Sequence, residues 1–216
     1  MKRHMTRSGF FAALTAVVAL AFASPALAAR NADAEAYVEE NGADALQILR
    51  HTTEISASSR RENFYRLMER FADIPRISTY VLGRYGTQLR ADASLRRDWQ
   101  RTFQDYAIAV YEDRLTRYAG SDMNVTGSIE RRPGVDVVVM SEITPAGGGR
   151  PLPVQWRLLK SGDVWKVIDV SLIVEGNEIW LAQQQQRDFL AQLDSNNGDI
   201  RALIGDVRSL TERMRS

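Results

Sequence analysis

Cysteine is absent from the 216 residues. That rules out disulfide cross-links, thiol nucleophiles and a lipidated N-terminal cysteine. Histidine is nearly absent too, with only His4 and His51, so no histidine pair can hold a metal and no HExxH occurs. With no second histidine in the body of the chain, no Cys and no Gly-x-Ser-x-Gly, nucleophile–base arrangements have no candidates. Charge of one sign is lacking as well: 28 basic residues face 27 acidic ones. Such a balance leaves no electrostatic footprint for nucleic acid and no polybasic block for tight docking on anionic lipid. Gly147-Gly148-Gly149 is not followed by Lys-Ser/Thr, so it reads as a flexible loop rather than a phosphate cradle.

What is present begins with a processing signal. Lys2, Arg3 and Arg7 form a basic start, Phe10 to Phe22 is almost wholly apolar, and Ala26-Leu27-Ala28 is a small-x-small cleavage site. The apolar run is shorter than the roughly 20 residues of a spanning helix. We therefore expect residues 1–28 to be a cleaved signal peptide and 29–216 to form one domain, exported rather than anchored. Removing the first 28 residues leaves 25 basic and 27 acidic residues, a net charge of −2.

Periodicity divides that domain into a helical first half, a strand-rich middle and a helical tail. Ala32 to Ser56 has apolar residues at helical spacing. Ser59 can cap a second helix with Phe64, Leu67, Met68 and Phe71 on one face, and Pro75 ends it or starts the next turn. Ile77 to Leu82 reads as a shorter helix closed by Gly83, and Ser94 can cap a long helix to about Arg117. From Asn124 the period becomes two, and about four strands joined by short turns make an antiparallel meander. Helices return over roughly 178–193 and 199–213. The expected fold class is α+β, with helices before and after an antiparallel sheet.

Strict alternation in the last strand puts Val164, Ile168, Val170, Leu172 and Val174 on one face, and Trp165, Val167, Asp169 and Ile173 on the other. Both faces are largely apolar, so both should be covered. Helices on each side would do this, and so would helices on one side and a lipid cavity on the other. Asp169 sits mid-strand, where an unpaired carboxylate is costly. It is either a cavity acid/base with a raised pKa or a structural carboxylate held by an arginine or backbone amides. Arg84 faces a similar choice between a lipid phosphate and a neighbouring acid.

The ordered landmarks Leu82-Gly83-Arg84-Tyr85, Phe103, Tyr111, Tyr118-Ala119-Gly120, Trp165 to Val170 and Glu175-Gly176 resemble the MlaC family, also called the toluene-tolerance or Ttg2 family. The sequence departs from the family at Gly86, where a Trp is usual. It also has a stretch about two residues longer before Glu175-Gly176, and Asn177-Glu178-Ile179-Trp180 after it.

The resemblance implies a nuclear-transport-factor-2-like or cystatin-like sheet decorated with helices. It further implies a periplasmic protein whose apolar pocket takes phospholipid tails and that needs no cofactor. The implied partners are an inner-membrane ABC transporter with its substrate-capture subunit and an outer-membrane lipid-transfer complex, a system that maintains outer-membrane lipid asymmetry. A related branch is associated with hopanoids. On this reading Tyr80, Leu82, Phe103, Tyr106, Val110, Val139, Trp156, Trp165 and Val167 lie near the tails and Arg84 near the entrance. Two rivals remain: a ketosteroid-isomerase-type enzyme using Asp169, and a periplasmic scaffold without a ligand.

Overall fold

The structure is a computed structural model that describes residues 30–50, 56–116, 118, 121–174 and 176–215. The expected signal segment, His51 and the landmarks Ala119, Gly120 and Glu175 lie outside the described residues.

The chain opens with α1, Ala32–Arg50. Asn31 starts it by accepting the Ala34 N–H at 3.0 Å. The same residue ties the helix to the sheet, since its backbone N–H donates to Ser128 Oγ and its Nδ2 to Glu130 Oε1. Helix α2, Ala57–Phe71, is capped by Ser56, not Ser59, because the Ser56 hydroxyl accepts the Ser59 N–H at 3.1 Å. Its last carbonyls, which no helical N–H can reach, are taken by side chains. The Tyr37 hydroxyl donates to the Arg70 and Phe71 oxygens, and Lys166 Nζ donates to those of Glu69 and Arg70. Burial pushes the Tyr37 hydroxyl up to about 12.

Helix α3, Ile74–Tyr80, begins three residues before the sequence expectation, because Pro75 lies in its first turn and Asp73 caps it through the Arg76 N–H. Gly83 then takes a positive φ of 51°, opening a 3-10 turn over Gly83–Thr87 and a short α4, Gln88–Ala91. A Cβ on Gly86 would lie 2.8 Å from the Thr79 carbonyl oxygen, so a tryptophan there would not fit this close approach to α3. Helix α5, Ala93–Thr116, is started by Asp92 rather than Ser94, with its carboxylate accepting the Leu95 N–H at 2.8 Å.

Five strands follow, one more than expected: β1 Asp122–Arg132, β2 Asp136–Thr144, β3 Leu152–Ser161, β4 Val164–Val174 and β5 Asn177–Trp180. They form one antiparallel meander in chain order. The additional strand occupies what reads in the sequence as the start of the next helix. That helix, α6, runs from Leu181 to Ser195, and α7 spans Ile200–Arg215.

Register decides which residues share a face. Val137, Val139, Ser141 and Ile143 of β2 stand opposite Leu158, Trp156, Val154 and Leu152 of β3. Across to β4, Leu158 meets Val167 and Arg157 meets Asp169, leaving Ile168 as an extra residue. This bulge shifts the alternation by one. Val170 and Leu172 therefore join Trp165 and Val167 on the face of Trp156 and Leu158, while Asp169 goes to the face of Arg157. The strict alternation expected from sequence is thus corrected halfway along the strand.

Beyond the reach of β5, the edge of β4 is covered by the α2–α3 link. Ala72 bridges Val167 and the Asp73 N–H donates to the Val167 oxygen at 2.9 Å.

Two apolar cores result. One is helical, built on Trp99, Phe103, Phe189, Leu193, Leu203 and Val207. In the other, α1, α2 and Ile108 of α5 pack on the sheet through Val38, Phe64, Phe71, Val137, Val139, Leu158 and Trp165.

A candidate apolar binding chamber

A cavity of about 940 Å³ opens where the two cores meet. Its helical wall comes from Phe64, Leu67, Met68 and Phe71 of α2, Ile74 and Ile77 of α3, and Phe103 and Ala107 of α5. Its sheet wall is the face set by the bulge: Ile143, Leu152, Val154, Trp156, Val167, Val170 and Leu172. Ile168, Asp169 and Ile173 add to the lining where β4 passes α6, whose Leu181, Ala182 and Gln185 close that side. Pro145, Arg150 and Pro151 of the β2–β3 connection and Pro153 at the start of β3 form part of the rim, with Tyr118 and Gly176 also at the wall.

The wall is apolar because both halves present stripes that would otherwise pack together. Helix spacing puts Phe64, Leu67, Met68 and Phe71 on one side of α2, and strand pairing aligns Val154, Trp156, Val170 and Leu172 across the sheet. Aromatic contacts keep the walls in place. Phe71 sits between Tyr37 and Trp156, with ring centroids 5.6 and 5.5 Å away. The Trp156 Nε1 donates to Ser141 Oγ at 2.8 Å, which leaves the ring as an apolar surface with its polar atom paired.

Asp169 and Arg150 are the charged side chains of this lining. The Asp169 carboxylate is 7% exposed and accepts the N–H of Val170 at 2.9 Å and of Ala182 at 2.8 Å. Ala182 lies in the first turn of α6, and the residue before that helix, Trp180, supplies no side-chain cap. Asp169 therefore caps α6 from a neighbouring strand. Burial raises its pKa, opposed by the amide hydrogen bonds and by Arg157, which itself forms a two-point ion pair with Asp136 at 3.2 and 2.9 Å. This is the structural alternative for Asp169: its Oδ1 is committed to main-chain donors. Among the described residues, no group of three or more acidic or histidine side chains is placed to hold a metal ion.

Of the expected tail-contacting residues, Phe103, Trp156 and Val167 line the cavity. The others lie elsewhere. Leu82 is fully buried in the helical core and Tyr106 stacks on Phe189 beside it. Val139 and Trp165 are in the sheet core, Val110 is buried outside the lining, and Tyr80 is exposed with its carbonyl accepting from Gln186. Arg84 is not among the lining residues. It pairs with Asp194, which also accepts the Tyr85 hydroxyl at 2.8 Å, and its guanidinium lies 4.9 Å from the Tyr85 ring. The α2 stripe and the proline-rich rim were missed as lining because nothing in a sequence separates an apolar stripe that packs from one that borders a void.

An antiparallel meander with an α-helical shell and an apolar cavity between them defines the class: an α+β domain with a hydrophobic cavity. Residues 39–209 match the MlaC protein family, and the chain belongs to that family. Among solved structures, it is similar to a phospholipid-binding protein from Ralstonia solanacearum, determined in complex with a phospholipid at 1.53 Å. The two share 21% identity over 85% of this chain and 99% of that one, with a TM-score of 0.69. At that identity the likeness establishes the fold. No curated protein matches the sequence.

Proposed function

We propose that this MlaC-family chain is a periplasmic phospholipid carrier, exported by a signal peptide cleaved after Ala28. It would shuttle lipid between an outer-membrane transfer complex and an inner-membrane ABC transporter. The observation that carries the reading is the cavity of about 940 Å³ with a predominantly apolar wall. Membership of the MlaC family and the phospholipid held by the Ralstonia protein of the same fold support the choice of ligand.

Physical chemistry makes the role coherent. A lipid free in water exposes its tails at a cost of about 0.8 kcal/mol per methylene, so unassisted crossing of an aqueous space is slow. Transfer from a bilayer to an apolar chamber exchanges one apolar medium for another, and the equilibrium stays close to balance. A carrier can then load and unload without covalent chemistry. At roughly 30 Å³ per water-sized group, the chamber holds on the order of thirty such groups, the bulk of two long acyl chains.

The enzyme rival needs a free acid in the cavity, and the amide hydrogen bonds to Asp169 speak against that role. The scaffold rival leaves an apolar volume without an occupant, which forfeits packing on every wall.

Native mass spectrometry of residues 29–216 purified from a periplasm, followed by lipid extraction, tests the proposal. A stoichiometric phospholipid is expected, and a polycyclic lipid in its place would move the protein to the hopanoid branch. Protein that is empty and takes up no lipid from vesicles would overturn the carrier reading.

A further inference from the structure

The geometry points to Arg150 as the residue that reads the phosphodiester of the bound lipid, an inference that rests on the carrier reading. Three observations converge on it. Arg150 borders the cavity and, among the described residues, is the only cationic side chain of its lining. It forms no hydrogen bond or ion pair with any described residue, whereas Arg30, Arg66, Arg70, Arg76, Arg84 and Arg157 all hold acidic partners. The other charge on the wall, Asp169, is tied to main-chain amides and does not neutralise it.

The rim is built to present this side chain. Pro151 follows Arg150 and restricts it to extended backbone conformations. Pro145 and Pro153 flank the connection, and a turn closed by the Gly148 N–H on the Pro145 oxygen at 3.0 Å brings the chain back to β3. Three prolines in nine residues stiffen the edge of the chamber, against five in the whole of residues 29–216. An unpaired guanidinium held at the mouth of an apolar chamber suits a ligand with an apolar body and one anionic oxygen pair at its end. The phosphodiester of a glycerophospholipid has that shape, and a diacylglycerol with the same tails lacks the anion.

Soluble lipids with matched tails test this on residues 29–216. Binding of dioctanoyl phosphatidylglycerol and of dioctanoylglycerol is measured by calorimetry for the wild type, R150Q and R150K. The wild type is expected to bind the phospholipid roughly tenfold tighter, the effect of one charge-assisted hydrogen bond. R150Q should lose that margin while its Kd for dioctanoylglycerol stays unchanged, and R150K should keep part of it. Because Arg150 is exposed and unpaired, R150Q should melt at the wild-type temperature.

Equal weakening of both ligands by R150Q, or of neither, overturns the assignment and leaves the carrier reading standing. A wild type that binds neither lipid overturns both. Inorganic phosphate alone separates headgroup recognition from a free-anion site. No saturable binding is expected, and phosphate binding that R150Q abolishes would overturn the lipid assignment.

Discussion

The centre of the helical core, around Trp99, and the junction where that core meets the helix-on-sheet core draw on the same residue types, yet one is filled and the other borders a void. Around Trp99 the packing is complete. Trp99 is fully buried, its ring contacts Phe103 and Phe189, and its Nε1 donates to the Ser78 oxygen at 2.7 Å. Across the junction, Phe71, Trp156 and Val170 pack on one side only and border the chamber on the other. The helical core joins helices α3 to α7, and its Ile74, Phe103, Ala107 and Ala182 face the chamber. The partly open junction keeps apolar surface available. Substitutions can therefore separate residues that lie away from the chamber from those that line it.

The largest expected effect is in the filled core. Trp99→Ala removes a fully buried ring and strands the Ser78 carbonyl, so it should cost about 3–5 kcal/mol in urea unfolding. Leu203→Ala, also fully buried in that cluster, should cost about 2–5 kcal/mol. If these losses were no larger than those at chamber positions of similar size, the contrast between the two clusters would be wrong.

A chamber substitution should show the opposite pattern. Ala45 of α1 lines the cavity and is only half-buried. Ala45→Trp should reduce the lipid recovered per protein several-fold. Its stability should change by less than the roughly 1–3 kcal/mol that overpacking costs in a filled core. Lipid extraction and urea titration on the same sample read both quantities. Loss of stability with full lipid content would show that the volume beside Ala45 is ordinary core.

The contrast also accounts for what the sequence made legible. Helix–sheet–helix order follows from periodicity, and Phe64, Leu67, Met68 and Phe71 were readable as one face. Whether that face meets side chains or space depends on how far apart α2 and the sheet are held, which no local pattern encodes. Ile168 is the second limit. A single unpaired residue moves Val170 and Leu172 onto the cavity face, and its neighbours carry no glycine or proline to mark the bulge. β5 was missed because four residues are too few for a period to show. The choice of Ser59 and Ser94 as caps failed because Ser56 and Asp92, a few residues earlier, were equally competent by type.

Asp169 belongs to the boundary between the clusters, and paired variants sharpen its role. Asp169→Ala removes the acceptor for the buried Ala182 N–H and the partly buried Val170 N–H and should cost about 1–3 kcal/mol. Asp169→Asn keeps an acceptor oxygen and should be tolerated, with lipid content unchanged. The pH dependence follows from the raised pKa and its cause in burial. The folded state holds this proton more tightly than the unfolded chain, whose aspartates titrate near about 3.9. Its stabilising contribution is therefore complete below that value and is lost as pH rises through the folded pKa. Relative to wild type, Asp169→Asn should gain stability across the same window. A gain that instead grew as the pH fell would mean that amide hydrogen bonding outweighs burial at this site.

The smallest effect is expected at Arg84, which the sequence put at the entrance. Its pairing with Asp194 joins the 3-10 turn to the end of α6, and Tyr85 already contributes a second link to the same carboxylate. Both ionic partners are exposed, so water and salt compete for them and the pair adds little. Hydrogen bonding to Tyr85 and to Arg84 lowers the Asp194 pKa, so what stability the cluster supplies is present at neutral pH and lost as pH falls through that lowered value. Arg84→Gln should leave lipid content and phospholipid affinity at the wild-type level and barely move the melting temperature. Set beside R150Q, which should alter phospholipid binding without altering stability, it tests whether cavity contact or position in the family landmarks is the better guide to the headgroup. A loss of phospholipid affinity in Arg84→Gln and none in R150Q would return the entrance to the 3-10 turn.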